Sequence, residues 1–195
     1  MLRLFTALCK TMFEILTDEA IFLEAKGGYR RSGEACPCCG AVGKLTEYGE
    51  YSRGLTYLQA GKVADSRVSP LRFECKSCGS THALLPDIVI PYGRYSLGFV
   101  LTVLIAYFER ASTVERICEN FGIAISTIYE WKKRVLSHKD LMLGLLISRK
   151  MPALAFLRGL LGSDGMSDFL RRFFRKYGFS FMQRRSPSAS RSRPP

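Results

Sequence analysis

Two short stretches, Cys36-Pro37-Cys38-Cys39-Gly40 and Cys75-Lys76-Ser77-Cys78-Gly79, share the pattern C-x-x-C-G. No other feature constrains the fold as strongly. Tetrahedral zinc takes four ligands, with thiolate sulfur about 2.3 Å from the metal. A C-x-x-C turn brings two thiolates to one side of an ion. The glycine that follows adopts positive φ easily, which closes the turn and aims backbone N–H groups at sulfur. Two such turns supply four ligands, so the chain between them must return to its start. Candidate strands at Leu45–Tyr51, Gly54–Leu58 and Val68–Glu74 suit a zinc ribbon.

The expected ligands are Cys36, Cys39, Cys75 and Cys78, holding one structural Zn2+. Cys38 competes with its neighbour Cys39, but the match to the second turn, with Gly40 after Cys39, favours Cys39. His82, four residues after Cys78, could replace a ligand, although four cysteines already complete the set. Cys9 and Cys118 fall on apolar helix faces and read as core. A catalytic zinc keeps an open position, usually three protein ligands and water. Four thiolates close the shell, so the metal reads as structural. In small zinc modules metal binding contributes about 10–16 kcal/mol at neutral pH. Seven cysteines without a signal-peptide pattern point to a reducing compartment and hence a cytoplasmic, nucleoid-associated setting.

The fold class expected is α+β: a small four-cysteine ribbon of short antiparallel strands, then a mainly helical helix–turn–helix domain. Residues 1–28 read as an amphipathic N-terminal helix with Leu4, Leu8, Phe13, Leu16 and Ile21 inward, ended by Gly27-Gly28. Residues 29–92 form the ribbon, with Pro86 and Pro91 bracketing an extended connector. Residues 93–138 form the three-helix domain, 139–183 further helices, and 184–195 a disordered basic tail of Arg, Ser and Pro. Helical breaks are expected at Ser112, Phe121–Ile125, Ser148–Pro152 and Gly162–Gly165. The apolar run Leu97–Phe108 is far short of the roughly 20 residues of a membrane span.

The helix–turn–helix reading rests on residues 112–135. Ser112 and Glu115 form a capping box that starts a helix whose buried face is Val114, Ile117 and Cys118. Gly122 permits the left-handed turn, and Ile123 fills the corner. Ser126 is expected to cap a second helix with Ile128, Trp131 and Val135 inward. Ser126, Thr127, Tyr129, Glu130, Lys132, Lys133 and Arg134 are the expected DNA-contacting residues on or near its outer face. Thr127, Glu130 and Lys133 are assigned to base edges, and Tyr129, Lys132 and Arg134 to phosphates. Ser96–Arg110 would be the first helix of the three. An ordinary helical hairpin with a basic outer helix shows the same pattern.

Charge points the same way. Lys and Arg number 29 against 17 Asp and Glu, a net charge of +12 with a pI near 9.6. That surplus suits a polyanionic partner, nucleic acid or an anionic membrane surface. Half of it follows Ser163, including Arg171, Arg172, Arg175 and Lys176, a segment able to follow a phosphate backbone without reading sequence.

The order of ribbon, Thr81-His82-Ala83-Leu84-Leu85-Pro86-Asp87, helix–turn–helix and Tyr177-Gly178-Phe179-Ser180-Phe181 resembles a family of small bacterial proteins of unknown function. Their ribbon and helix–turn–helix are similar to the N-terminal parts of insertion-sequence transposases. The resemblance runs from about Cys36 to Gln183 and implies a mobile-element setting, with double-stranded DNA as partner, a separate transposase alongside, and a homodimer as a possible form. No membrane is implied. It carries over no catalytic residue. A complete transposase would need three carboxylates holding two metals, and Asp18, Asp65, Asp87, Asp140, Asp164 and Asp168 form no strand-borne set, so no enzyme is expected. The alternatives are the DNA-binding fragment of a longer transposase, an adaptor whose ribbon docks a protein partner, and an RNA-binding ribbon with Tyr48, Tyr51 and Tyr57 as its stacking platform.

Overall fold

The computed structural model of the chain describes residues 35–85, 89–110, 112–162 and 166–184. The helix expected over 1–28 with Cys9, the ribbon start at 29–34, Pro86–Ile88 and the tail beyond Arg184 lie outside the described residues. The described part is α+β: antiparallel strands, then helices.

Strands β1 (Leu45–Glu50), β4 (Leu71–Cys75) and β5 (Thr81–Ala83) form one sheet in the order β1-β4-β5. Its register places Leu45 opposite Cys75 and Phe73 opposite His82. Strands β2 (Arg53–Gln59) and β3 (Lys62–Val68) form a separate hairpin. The expected strand Val68–Glu74 is therefore two strands, broken at Ser69-Pro70. The β2–β3 hairpin turns through Ala60 and Gly61, at φ 48° and 76°. Two consecutive positive φ values suit a two-residue turn matching strand twist. Alanine is an uncommon residue there, so the turn carries no sequence signal.

The free edge of β2 is taken by the chain entering the helices. Thr56 N–H donates to the Arg94 carbonyl (2.7 Å), and Ser96 N–H donates to the Thr56 carbonyl (2.9 Å). Backbone bonds thus tie the hairpin to the start of α1 (Leu97–Glu109), whose N-terminus is capped by the buried Ser96 hydroxyl accepting from Phe99 N–H. Helix α1 buries Leu97, Phe99, Val100, Leu101, Val103 and Leu104. A helix apolar on nearly every side belongs at the centre of a core. Around it stand α2 (Val114–Phe121), α3 (Ile125–Leu143) and α5 (Ala153–Leu161), with α4 (Leu145–Lys150) following α3 and α6 (Met166–Tyr177) closing the chain.

Two helix starts differ from expectation. Thr113, not Ser112, caps α2: its hydroxyl accepts from Arg116 N–H, three residues on. Helix α3 begins at Ile125 with Ala124 as its cap, and Ser126 lies inside the first turn without a capping role. The chain leaves Gly122 already directed into α3, so a side-chain cap is dispensable. The break expected over Ser148–Pro152 stands at Met151-Pro152, and a further one precedes it at Gly144, φ 74°.

One core joins Ile117, Ile128, Trp131 and Val135 to Leu157, Leu170, Phe173 and Phe181. The boundary expected at residue 138 falls within α3. His138 sits there among Phe173, Phe179 and Phe181, its Nδ1 accepting from Met182 N–H at 3.0 Å. Lys139 is buried as well, but its Nζ donates to the carbonyls of Ser148 (2.9 Å) and Met151 (2.7 Å). Those carbonyls lie at the C-terminal end of α4, where a cation is favoured.

Candidate metal centre and nucleic-acid interface

The two cysteine turns have the same backbone geometry. Cys36 N–H donates to the Ala41 carbonyl and Cys75 N–H to the Ser80 carbonyl, both at 2.9 Å. Gly40 N–H donates back to Cys36 and Gly79 N–H to Cys75, both at 2.8 Å. The glycines sit at φ 74° and 68°, which a side chain would resist. The first turn precedes β1 and the second ends β4, so the β1–β4 register brings them together.

The Sγ atoms of Cys36, Cys39, Cys75 and Cys78 all lie within 4.8 Å of one another. Cys36 and Cys78 are 3.8 Å apart, Cys39 and Cys75 3.7 Å. Four sulfurs each about 2.3 Å from a central ion, at tetrahedral angles, stand about 3.8 Å apart. A disulfide would need about 2.05 Å. The spacing is that of a shared metal, and the four cysteines could hold one ion. Cys38 is exposed and outside the cluster; its N–H points to the Cys36 sulfur at 3.4 Å.

The thiols resist joint ionisation when no cation is among them. Cys78 is lowered to about 6, first by the Ser80 hydroxyl and backbone N–H and then by neighbouring thiols. Cys39 accepts from the Ala41 backbone, which lowers it, yet burial and the sulfurs of Cys78, Cys75 and Cys36 push it up to about 12. Crowded anions are stable here only if a cation compensates them.

His82 supports this cluster without belonging to it. It is buried, and burial holds its pKa down to about 4, so the ring is neutral at ordinary pH. Its Nε2 lies 3.3 Å from Cys36 Sγ. A neutral imidazole donating N–H to a ligating thiolate orients that thiolate and disperses its charge. Beside the β1-β4-β5 sheet, Phe73 and Leu84 form a small buried apolar cluster, with Leu45 and Leu71 packed against it. Each buried side chain contributes about 1.5–3 kcal/mol, much less than a metal.

The second candidate surface is α3. Ile128, Trp131 and Val135 face the core, Trp131 edge-on to Tyr95 at 5.0 Å and Phe99 at 6.3 Å. Helical periodicity sets Ser126, Glu130, Lys133 and Ser137 on the opposite side, and all four are exposed. Thr127 is half-buried on one flank with Arg134. Tyr129 and Lys132 form the other flank, where Lys132 Nζ donates to Tyr107 Oη at 2.8 Å. The structure draws Arg134 inward: its guanidinium donates to the Met182 carbonyl (3.1 Å) and pairs with Glu130 (3.2 Å). Burial lowers its pKa, opposed by Glu130. Beside Lys132 a cavity of about 290 Å³ is lined by Tyr107, Arg110 and Thr113, at the N-terminus of α2. Sequence reasoning missed Tyr107 and Arg110 because neither lies in the motif. Of the three tyrosines expected as a platform, Tyr57 is buried in the hairpin core, whereas Tyr48 and Tyr51 lie beside Arg72.

Residues 36–131 match a family described as "Domain of unknown function (DUF6431)". The match begins at Cys36 and ends at Trp131, so it covers the four-cysteine cluster and only the first part of α3. No curated protein and no solved structure matches the chain. Among the described residues no helix is long and apolar enough to cross a membrane.

Proposed function

We propose that the chain is a DNA-binding protein whose ribbon is held by one structural zinc and whose helix α3 reads duplex DNA. The observation that carries it is the two-sided character of α3: Trp131 locks one side into the core and leaves Ser126, Glu130 and Lys133 as an exposed polar stripe. A short helix, a glycine turn at φ 62° and a longer helix with a free polar side is the arrangement that enters a major groove. Lys132 and Arg110 beside the N-terminus of α2 suit a backbone phosphate on the flank. The net charge of +12 supplies the sequence-independent attraction.

Zinc is the proposed metal because an all-thiolate tetrahedral set selects zinc or iron, and a four-thiolate shell leaves no position for substrate. A non-catalytic role is supported by how the carboxylates are engaged. Asp65 pairs with Arg94, Asp140 accepts from the Ser148 hydroxyl, and Asp168 pairs with Arg172, each on a separate element. The likeness of ribbon and helix–turn–helix to the recognition parts of transposases supports a mobile-element role, acting beside a separate transposase. Selection from a random duplex pool tests the reading. Enrichment of a defined site is expected. No enrichment, with RNA competing as well as duplex at matched salt, overturns groove reading.

A further inference from the structure

Away from α3, a cleft of about 650 Å³ opens between the two sheets and the Tyr92-Gly93-Arg94 turn. Its size falls in the range of roughly 300–1,000 Å³ common to small-ligand clefts. Its walls carry Tyr51, Tyr92, Arg53, Arg72, Arg94 and Thr81, and no carboxylate lines it among the described residues. The geometry points to a binding site for an unstacked nucleotide of single-stranded nucleic acid, its base against a tyrosine ring and its phosphate on arginine. The site uses no residue of α3 and stands whether or not α3 reads duplex DNA.

Tyr92 is the most informative residue. It is 80% exposed, more than any other large apolar side chain among the described residues, and it sits at φ 60°. A bulky residue in the left-handed region stores strain that a glycine would relieve. The ring gains no burial to offset that strain. Meanwhile the turn that presents it is clamped. Arg53 donates to the carbonyls of Ile90 (3.2 Å) and Gly93, and Arg94 is tied to β2 through Thr56. The ring is thus held out into the cleft by a fixed turn.

The arginines divide the remaining work. Arg53 is occupied by the turn carbonyls. Arg94 pairs with Asp65 at 3.2 Å, which keeps it in place at the rim while leaving it largely exposed. Arg72 lies 5.4 Å from the Tyr48 ring and 6.0 Å from the Tyr51 ring, and donates to Thr81 Oγ1 at 3.1 Å. Its guanidinium therefore lies within cation–π reach of two tyrosine rings, and arginine stacks on bases by the same attraction. Guanidinium groups interleaved with exposed tyrosines make the platform used for single strands, where stacking tolerates any base and arginine follows the backbone. A simple anion site would need the arginines without the rings, and a simple apolar cleft the rings without the arginines.

The test is fluorescence anisotropy of the full zinc-loaded chain with a labelled oligothymidylate, an oligouridylate and a hairpin duplex. Tyr92→Gly suits φ 60°, so it removes the ring while easing the backbone, and zinc content verifies the fold. Binding of the single strands is expected to fall about tenfold in Tyr92→Gly, to persist in Tyr92→Phe, and to fall in Arg72→Gln. The two oligonucleotides distinguish deoxyribose from ribose. The inference is overturned if the wild-type chain binds neither strand, or if Tyr92→Gly binds them as wild type does.

Discussion

Nε2 of His82 stands 3.3 Å from Sγ of Cys36, joining residues 46 apart in sequence. The pairing of β5 with β4 creates the contact, since His82 is set opposite Phe73 two positions from Cys75 of the cluster. A ring that is buried and neutral can only donate to or accept from its neighbours. Were Cys36 to hold a metal as thiolate, the ring would donate to it.

The first prediction follows. His82→Ala removes a donor to the ligand sulfur, and metal affinity falls about 10–100-fold. Competition against a chromophoric chelator measures it. His82→Gln keeps an N–H donor and retains most of the affinity. Equal affinity in all three proteins would show that the contact does not act on the metal.

The second concerns the two adjacent thiols. Cys39 lies in the cluster and Cys38 outside it. Cys38→Ser is expected to keep one zinc per chain, and Cys39→Ser to lose it. Elemental analysis after dialysis reads the difference. The reverse pattern would transfer the ligand role to Cys38.

The third concerns Trp131, which joins α3 to α1 and to the entering segment at Tyr95. Trp131→Ala leaves a cavity worth about 3–5 kcal/mol. The helical part should unfold at lower denaturant while the ribbon, whose apolar clusters are separate, keeps its zinc. Simultaneous loss of metal and helix content would mean a single cooperative unit.

The fourth separates base reading from phosphate contact. Glu130→Ala should relax sequence preference and cost about 1–3 kcal/mol on the preferred site. It also removes the partner of Arg134, whose half-buried guanidinium keeps its bond to the Met182 carbonyl. Lys132→Ala should weaken every duplex alike and lower the salt slope by about one unit. If Glu130→Ala tightens all sequences equally, Glu130 reads no base.

The fifth concerns pH. The Thr56 hydroxyl, and after it Arg94, lower the pKa of Asp65 below its usual 3.8. A depressed carboxyl stabilises the fold at pH values above its unfolded pKa, and that contribution is lost as pH falls through the folded value. The carboxylate is largely exposed, so the contribution is under about 1 kcal/mol. Wild type should exceed Asp65→Asn by a constant margin down to about pH 5, and the margin should close in stronger acid. Acid release of zinc affects both proteins alike. A margin that persists in acid would show that the carboxylate charge is not its source.

Local chemistry was readable from the chain. Each C-x-x-C-G turn carries its own hydrogen bonds and its own glycine, so the grouping of the four cysteines follows from spacing. The inward stripe Ile128, Trp131 and Val135 follows from helical periodicity, and the α+β order from the change of period near residue 93. Helix starts were read one or two residues out. Ser112 and Thr113 are both good caps, and Ala124 succeeds without a side-chain bond because Gly122 already aims the chain. Only the tertiary structure decided which functional side chains meet. It set His82 on Cys36, drew Arg134 to Met182, buried Tyr57, and brought Tyr92 and Arg72 to the lining of one cleft. Those meetings depend on strand register and on a hairpin edge accepting a later segment of chain. Spacing along a sequence constrains neighbours within a turn or a helix, while register is fixed by long-range burial of whole faces.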